Sequence, residues 1–503
     1  MRTQKTIRNM LSDIIPFFIM GILGFVKIPI FIDYLGQGYY GFTQIFNQIF
    51  NYLNLAEAGF GTSIVFALYS PIADRNRDKI NKLLSGAKII FRRIGIIILT
   101  AGLILSFFVD YLIKKNPMSP LYTQIAFVLF LLTGIGNYFA YAPRFLLQAD
   151  QNKYMTNLVT NIMRIVQILV EIVLLILGID LIGIFIWYFI NMILTNIIIN
   201  YFAYKSYPWM DLKQEPDMST VDNTKHVFMQ KIATIIASNT DNIVLSAFVG
   251  VDVVAIYASY NYIAQFIISI TNKIINSTQE SFGNFFASKE KKEGLSTFWE
   301  MNSFLFYMAS IVFTVTYLSI NNLIRLWVGS KMLVSQFTVL LFCMVFFYRI
   351  VRGTGSVIIN GIGAFKETKW QSLFEAIINL SLSLLLVGKF SIDGVLFATI
   401  ASYTLTGFWF IPNYIFKNVF YRSSKSYFIN YGMNVLIMVI VLYLGNVFCS
   451  YVGFYEDTTS IMRWFIETTI FTLLVSIVYF VIYYCCYRHF RLLVKRLLTI
   501  VKR

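Results

Sequence analysis

The stretch KIPIFIDYLGQGYYGFTQIFNQIFNYLNLAEAGFG, residues 27–61, decides how this chain is read. It holds the end of one apolar segment, a tight turn at Gly36, and a second apolar segment with polar residues on one side. It also sets a cation, Lys27, inside a run long enough to cross a bilayer. About 20 apolar residues in a helix span the ~30 Å hydrocarbon core, and in lipid such a run must satisfy its backbone groups internally. Similar runs recur from end to end of the 503 residues, 57% of which are hydrophobic and only 13% charged. A soluble chain would carry about twice that charge. The alternating short strands of a membrane barrel are absent from the pattern. The sequence therefore predicts an all-α polytopic membrane protein.

Working outward, the apolar runs divide into about fourteen transmembrane segments: 9–33, 39–70, 89–113, 121–145, 157–178, 181–204, 226–249, 253–285, 298–320, 332–360, 370–388, 393–416, 427–449 and 460–487. The polar stretch 205–225 follows six of them and precedes eight, which predicts an N-terminal lobe over 1–204, a cytoplasmic linker, and a C-terminal lobe over 226–416. Residues 417–503 supply helices thirteen and fourteen and a basic tail. The N-terminus is basic (Arg2, Lys5, Arg8) and then apolar without a cleavage site, so it reads as the first span rather than a signal peptide. Starting inside, about 33 of the 41 Lys and Arg fall on the cytoplasmic side and about six on the other, which predicts cytoplasmic termini.

The net charge of +16 does not point to nucleic acid, because the charges lie in short loops between apolar runs. Cys343, Cys449, Cys485 and Cys486 form no C-x-x-C pair and read as small buried hydrophobes. With two histidines there is no metal-ligand cluster, and no P-loop, dinucleotide fingerprint or H-E-x-x-H motif is present, so neither a cofactor nor an enzyme is expected.

Sliding the chain on itself by 214 residues lays LGQGYYGFT (35–43) over VGVDVVAIY (249–257), with Gly36 on Gly250. Later the offset drifts, bringing Lys153 to Lys366 and Gly183 towards Gly394. Six spans is an even number, so the two copies run in the same direction. Such parallel repeats are an architecture of secondary transporters and predict a binding site between the lobes.

Ionisable groups within a span are costly and usually face a cavity or a partner. Lys27 falls over Asp241 under the repeat shift. One reading is a cavity for an anionic substrate, with Asp241 balancing charge; the other is a structural interhelical pair. Gln44, Asn47, Asn51 and Asn54 share one helical face, as do Asn261, Gln265, Ser269 and Lys273. These stripes suit either a hydroxyl-rich ligand or amide contacts between packed helices. Lys273 is a second cation suited to phosphate. Glu57 and Asp241 are candidates for Na+ or H+ coupling. Arg144, Arg164, Arg349 and Arg352 read as positive-inside anchors. Arg164 with Glu171, and Gln371 with Glu375 and Asn379, pack between helices or line the cavity. The tail alternates Arg488, Arg491, Lys495 and Arg496 with leucines, as an amphipathic helix on the anionic inner leaflet does.

The motifs Tyr34-Leu35-Gly36, Tyr40-Gly41, and Leu55 with Gly59 and Gly61 resemble the polysaccharide flippases of the Wzx type, in the multidrug/oligosaccharidyl-lipid/polysaccharide exporter superfamily. NTDNIVLSAFVGVDVVAIYASYNYI (239–263) looks like that family's seventh and eighth helices, with Asp241 at an acidic position. The resemblance implies a V-shaped, two-lobed transporter working by alternating access on an undecaprenyl-diphosphate-linked oligosaccharide, in a bacterial inner membrane, for O-antigen, lipopolysaccharide or capsule synthesis. It implies membrane lipids, a polysaccharide polymerase and other synthesis proteins as partners. Related lipid II flippases carry cations in helices one, two and eight. Lys27 and Lys273 suit the first and last, whereas the second helix here has amides and Glu57. Alternatives are a multidrug or cation antiporter of the same superfamily, or, from other classes, a membrane-embedded polysaccharide polymerase or ligase, or a scaffold.

Overall fold

The computed structural model describes the backbone of residues 2–54, 60–218, 240–287, 291–455 and 458–501. Every regular element among the described residues is helical, so this is an all-helical, multi-pass membrane protein. Among those residues, eleven stretches are long and apolar enough to cross a membrane. The chain clusters into two compact units, Met1–Ala255 and Ile256–Arg503.

The first unit contains α1 (Arg2–Leu35), α2 (Gln37–Leu53), α3 (Phe60–Ala73), α4 (Arg77–Ser106), α5 (Pro120–Ile135), α6 (Ala142–Ala149), α7 (Lys153–Ile176), α8 (Leu181–Ser206), α9 (Asp241–Phe248) and the start of α10 (Val251–Ala287). α1 packs along α7, which packs on α8, which packs on α5; α4 closes on α3, α5 and α6. The second expected segment, 39–70, is thus two helices, α2 and α3, with residues 55–59 outside the described set. Most of the seventh, 226–249, also lies outside it, and α9 is its end.

The second unit contains the rest of α10, then α11 (Lys291–Val328), α12 (Gln336–Val351), α13 (Gly353–Ile362), α14 (Phe365–Leu405), α15 (Gly407–Tyr414), a π-helical turn at Ile415–Val419, α16 (Lys425–Val452), α17 (Ile461–Cys486) and α18 (Arg488–Val501). α11 is its hub, packing against α12, α16, α17 and α18. α14 is two passes rather than one: its backbone leaves helical geometry at Ser391, with φ 52° and ψ −127°. The halves run back against each other, since Asn379 donates to Thr399 Oγ1 at 3.0 Å and Gln371 lies 3.4 Å from Thr406 Oγ1.

The internal repeat has structural counterparts. Gly36 and Gly250 each take a positive φ, 99° and 141°, at the turn between the first two helices of their repeat, a region that L side chains avoid. The fourth span of each repeat is broken near its end. α5 gives way to a 3₁₀ turn at Gly136–Ala140 before α6, and α12 gives way to α13 at Arg352. An arginine sits at each break, its guanidinium over a tyrosine ring: Arg144 is 5.1 Å from the Tyr141 centroid, and Arg352 is 5.8 Å from that of Tyr348.

The linker expected over 205–225 is docked in its described part. Tyr207 and Met210 enter the hydrophobic core beside α4. Asn81 donates to the Trp209 carbonyl at 3.3 Å and accepts from the Asp211 amide at 3.1 Å. The Asp217 amide donates to the Lys82 carbonyl at 3.0 Å. Burial pushes the Tyr207 phenol up; Asn152 opposes the shift, and Asp150, which accepts from the hydroxyl at 2.7 Å, adds to it.

Candidate functional site in the membrane-spanning helices

Lys27 lies about 12 Å along the helix axis from the end of α1 at Leu35. The close packing of α1 on α7 brings its ammonium to Glu171, 3.2 Å from Oε1 and 3.3 Å from Oε2. The two side chains differ in access: Lys27 is 24% exposed and Glu171 1%. Tyr188 lies against the carboxylate, and the Gln167 side chain bonds to Tyr188. The Gln167 carbonyl in turn accepts from the Trp187 indole at 3.2 Å, which ties α7 to α8 behind the pair. The arrangement holds a cation at fixed depth with its carboxylate sealed beneath it. An ammonium has three donors, so the pair still leaves Lys27 able to donate outward.

The predicted residues of α2 and α9 gather elsewhere in the first unit. Asn47 and Asn51 are exposed on α2, and Asn47 donates back to the Thr43 carbonyl at 2.8 Å. Asp241 opens α9 within electrostatic range of Tyr52, whose hydroxyl is 3.1 Å from Thr240 Oγ1. Asn54, the last of the α2 amides, accepts from the Tyr138 hydroxyl at 2.7 Å and so serves packing. Glu57 lies outside the described residues. In the second unit Asn261 is half-buried and accepts from Gln265 at 3.3 Å, while Gln265 and Lys273 are exposed on α10.

Two arginines that read as headgroup anchors are instead part of internal networks. Arg144 donates to Asn196 Oδ1 at 2.7 Å. Arg352 pairs with Glu375 at 3.0 Å, and its guanidinium lies 5.4 Å from the Tyr403 ring centroid. Glu375 Oε2 also accepts from Gln371 at 2.6 Å and Thr406 at 3.2 Å. Gln371, Glu375 and Asn379 are therefore buried bonds between the two passes of α14. Arg164 is exposed. Cys343 and Cys449 are buried as expected, whereas Cys485 and Cys486 are exposed at the end of α17.

The C-terminal helix α18 is anchored by protein contacts as well as being amphipathic. Phe490 is buried among Tyr307, Phe480 and Tyr483, and Arg496 pairs with the buried Glu300 at 3.2 Å. His489 stacks on Trp299, with centroids 6.2 Å apart. Burial lowers the affinity of this imidazole for a proton, and Arg488 lowers it further.

No family model and no curated protein matches the sequence. Solved structures do match its fold. The lipid II flippase MurJ in an inward closed conformation superimposes with a TM-score of 0.72 at 16% identity, covering 94% of this chain and 99% of that one. The fold is that of the MOP-superfamily transporters. An inward-facing MATE-family multidrug resistance transporter of that superfamily gives 0.65 at 14% identity, covering 80% of this chain and 97% of its own. The MATE multidrug transporter DinF-BH gives 0.57 at 17%, covering 84% and 97%. The greater coverage by MurJ reaches parts of this chain that these two MATE alignments leave out.

Proposed function

We propose that this chain is a flippase that moves an undecaprenyl-diphosphate-linked oligosaccharide from the cytoplasmic to the outer leaflet of a bacterial inner membrane by alternating access, with both termini cytoplasmic. The observation that carries this reading is the quarter-exposed Lys27 ammonium held within a span over a sealed Glu171. A diphosphate crossing hydrocarbon must exchange its hydration for fixed positive charge and hydrogen-bond donors. Lys27 offers the charge, and the exposed amides Asn47 and Asn51 offer partners for sugar hydroxyls. Lys273, exposed on α10, is a second cation of the same kind. Asp241, beside Tyr52, favours a second reading as an ion-coupled antiporter of cationic drugs.

The two readings separate in proteoliposomes offered a fluorescent undecaprenyl-diphosphate oligosaccharide or a cationic dye. The flippase reading expects movement of the lipid and its loss in Lys27→Ala or Lys273→Ala protein that remains folded. Dye export with an immobile lipid, lost in Asp241→Asn, overturns it.

A further inference from the structure

The Lys27–Glu171 pair is electrically neutral. An ammonium 3.2 Å from a carboxylate has its charge already cancelled, so the closed pair presents no net positive charge to an anionic cargo. Its two members differ in what they can do when an anion arrives. Lys27 is partly exposed at the end of a flexible four-carbon stem and can turn outward. Glu171 is sealed against α1 and α8 and cannot follow it. Nor do its surroundings replace the lysine. Oε2 accepts from Lys27, whereas Oε1, although 3.2 Å from the same nitrogen, accepts no hydrogen bond among the described residues. α8 adds the Tyr188 hydroxyl, and α7 adds Gln167, which bonds to Tyr188. The next charged groups along these helices are Asp33, about 9 Å from Lys27 on α1, Arg164, about 10 Å from Glu171 on α7, and Asp180, about 12 Å from Tyr188 at the start of α8. α6 also packs on α7, but it ends before α7 begins, about 27 Å from Glu171 along that helix.

Once Lys27 turns to an anion, Glu171 is left as a buried charge without a partner. A phosphate drawn to the same ammonium adds a second anion beside it. Both situations are costly in a low-dielectric site, and a buried acid escapes the cost by becoming neutral. We propose that Glu171 is a proton-binding site, which takes up one proton at Oε1 when Lys27 engages a phosphate and releases it when the phosphate leaves. The proton comes from bulk solvent by way of the exposed side of the pair. The carboxylate gains one O–H bond, and Lys27 keeps all its protons. The exchange converts a neutral pair into a single positive charge facing the cargo. It rests on the flippase reading above and deepens it, because binding of the phosphate-bearing lipid then draws on the proton concentration.

The test measures binding of undecaprenyl diphosphate to the full chain in mixed micelles from about pH 6 to about pH 8, with proton uptake followed by an indicator dye in weak buffer. Uptake of one proton with the lipid weakens binding by up to about tenfold for each unit rise in pH. The lipid's own titration is read from Glu171→Gln, which has a neutral amide in place of the acid. The expected result is a steeper pH dependence in the unaltered protein than in Glu171→Gln, with about one more proton taken up per lipid bound. Equal slopes and equal uptake overturn the proposal. Should Glu171→Gln not fold, infrared difference spectra of the unaltered protein decide: a protonated-carboxyl band gained on adding the lipid supports the proposal, and no gain overturns it. Lys27→Met, which removes the ammonium for good, should show that band with no lipid present. Binding without the extra proton overturns the proposal alone and leaves the flippase reading standing. A protein that binds no undecaprenyl diphosphate at any pH overturns both.

Discussion

Replacing Lys27 and Glu171 separately and together tests whether the pair is more than a fastening between α1 and α7. At 3.2 Å and an effective dielectric of about 20, the Coulomb attraction is about 5 kcal/mol. Because the ammonium is a quarter exposed, solvent screens part of this, and the observed cost falls towards the ~3 kcal/mol end of measured losses for broken buried pairs. The two single substitutions are unequal. Lys27→Met strands a carboxylate that is 1% exposed, at a cost of about 3 kcal/mol, whereas Glu171→Gln leaves an ammonium that still reaches water, at about 1–2 kcal/mol. The double variant replaces both charges and costs less than the sum, with a coupling of about 2–3 kcal/mol. The assay is denaturant titration in mixed micelles followed by tryptophan fluorescence, since Trp187 bonds to the Gln167 carbonyl beside the pair. Losses that add to within ~0.5 kcal/mol would refute the coupling. The stable double variant then carries the functional question: it moves no lipid-linked oligosaccharide if Lys27 serves the phosphate, and moves it normally if the pair is only structural.

Three further outcomes follow from the geometry. Gly41→Ala places a methyl group 2.1 Å from the Val251 carbonyl oxygen, so thermal unfolding should show a loss of about 1–3 kcal/mol or more, whereas Gly432→Ala, with nothing within 4 Å, should be neutral or slightly stabilising. Arg352→Lys keeps the charge but loses the stacking on Tyr348 and Tyr403, and should cost about 1–3 kcal/mol in the same titration. His489 binds its proton less readily folded than unfolded, so docking of α18 should be complete above the ordinary histidine value of about 6.5 and weaken as pH falls below it. Proteolysis of the tail across pH 5–8 measures this, and a His489→Gln tail should be insensitive over that range.

The fold was legible because its signal is coarse. Apolar runs of membrane-crossing length survive any error of a few residues at their ends, and the pairing of Gly36 with Gly250 needed only turn chemistry. Breaks within spans were not legible. The arrest of α5 at Gly136 and of α12 at Arg352, and the reversal at Ser391, occur in sequence that remains apolar on either side, so hydropathy passes over them. The site was legible as a set of residue types and not as partnerships. Lys27 was identified as a cation in a span, but its partner, Glu171, is 144 positions away, and the repeat shift points to Asp241 instead. The useful signal was composition within spans: Glu171 is an acid deep in an apolar helix, and such a group requires a partner. Likewise Arg496 reads in the sequence as part of a surface tail, whereas α18 folds onto α11 and pairs it with the buried Glu300.

The arginines at the two broken spans distinguish the units electrostatically. Each guanidinium lies over a tyrosine at the equivalent break, so the packing problem is the same. The acceptors differ. Arg352 meets a carboxylate, Glu375, and their charges cancel; Arg144 meets the neutral amide of Asn196 and has no acidic partner within ion-pair distance among the described residues. Lys27 is paired with Glu171, whereas Arg144 has no acidic partner of that kind among the described residues, which do not include Glu57. In a low-dielectric surround such a charge acts over a longer range than it would in water. Within the flippase reading proposed above, such a charge would favour a phosphate-bearing cargo over a cationic drug.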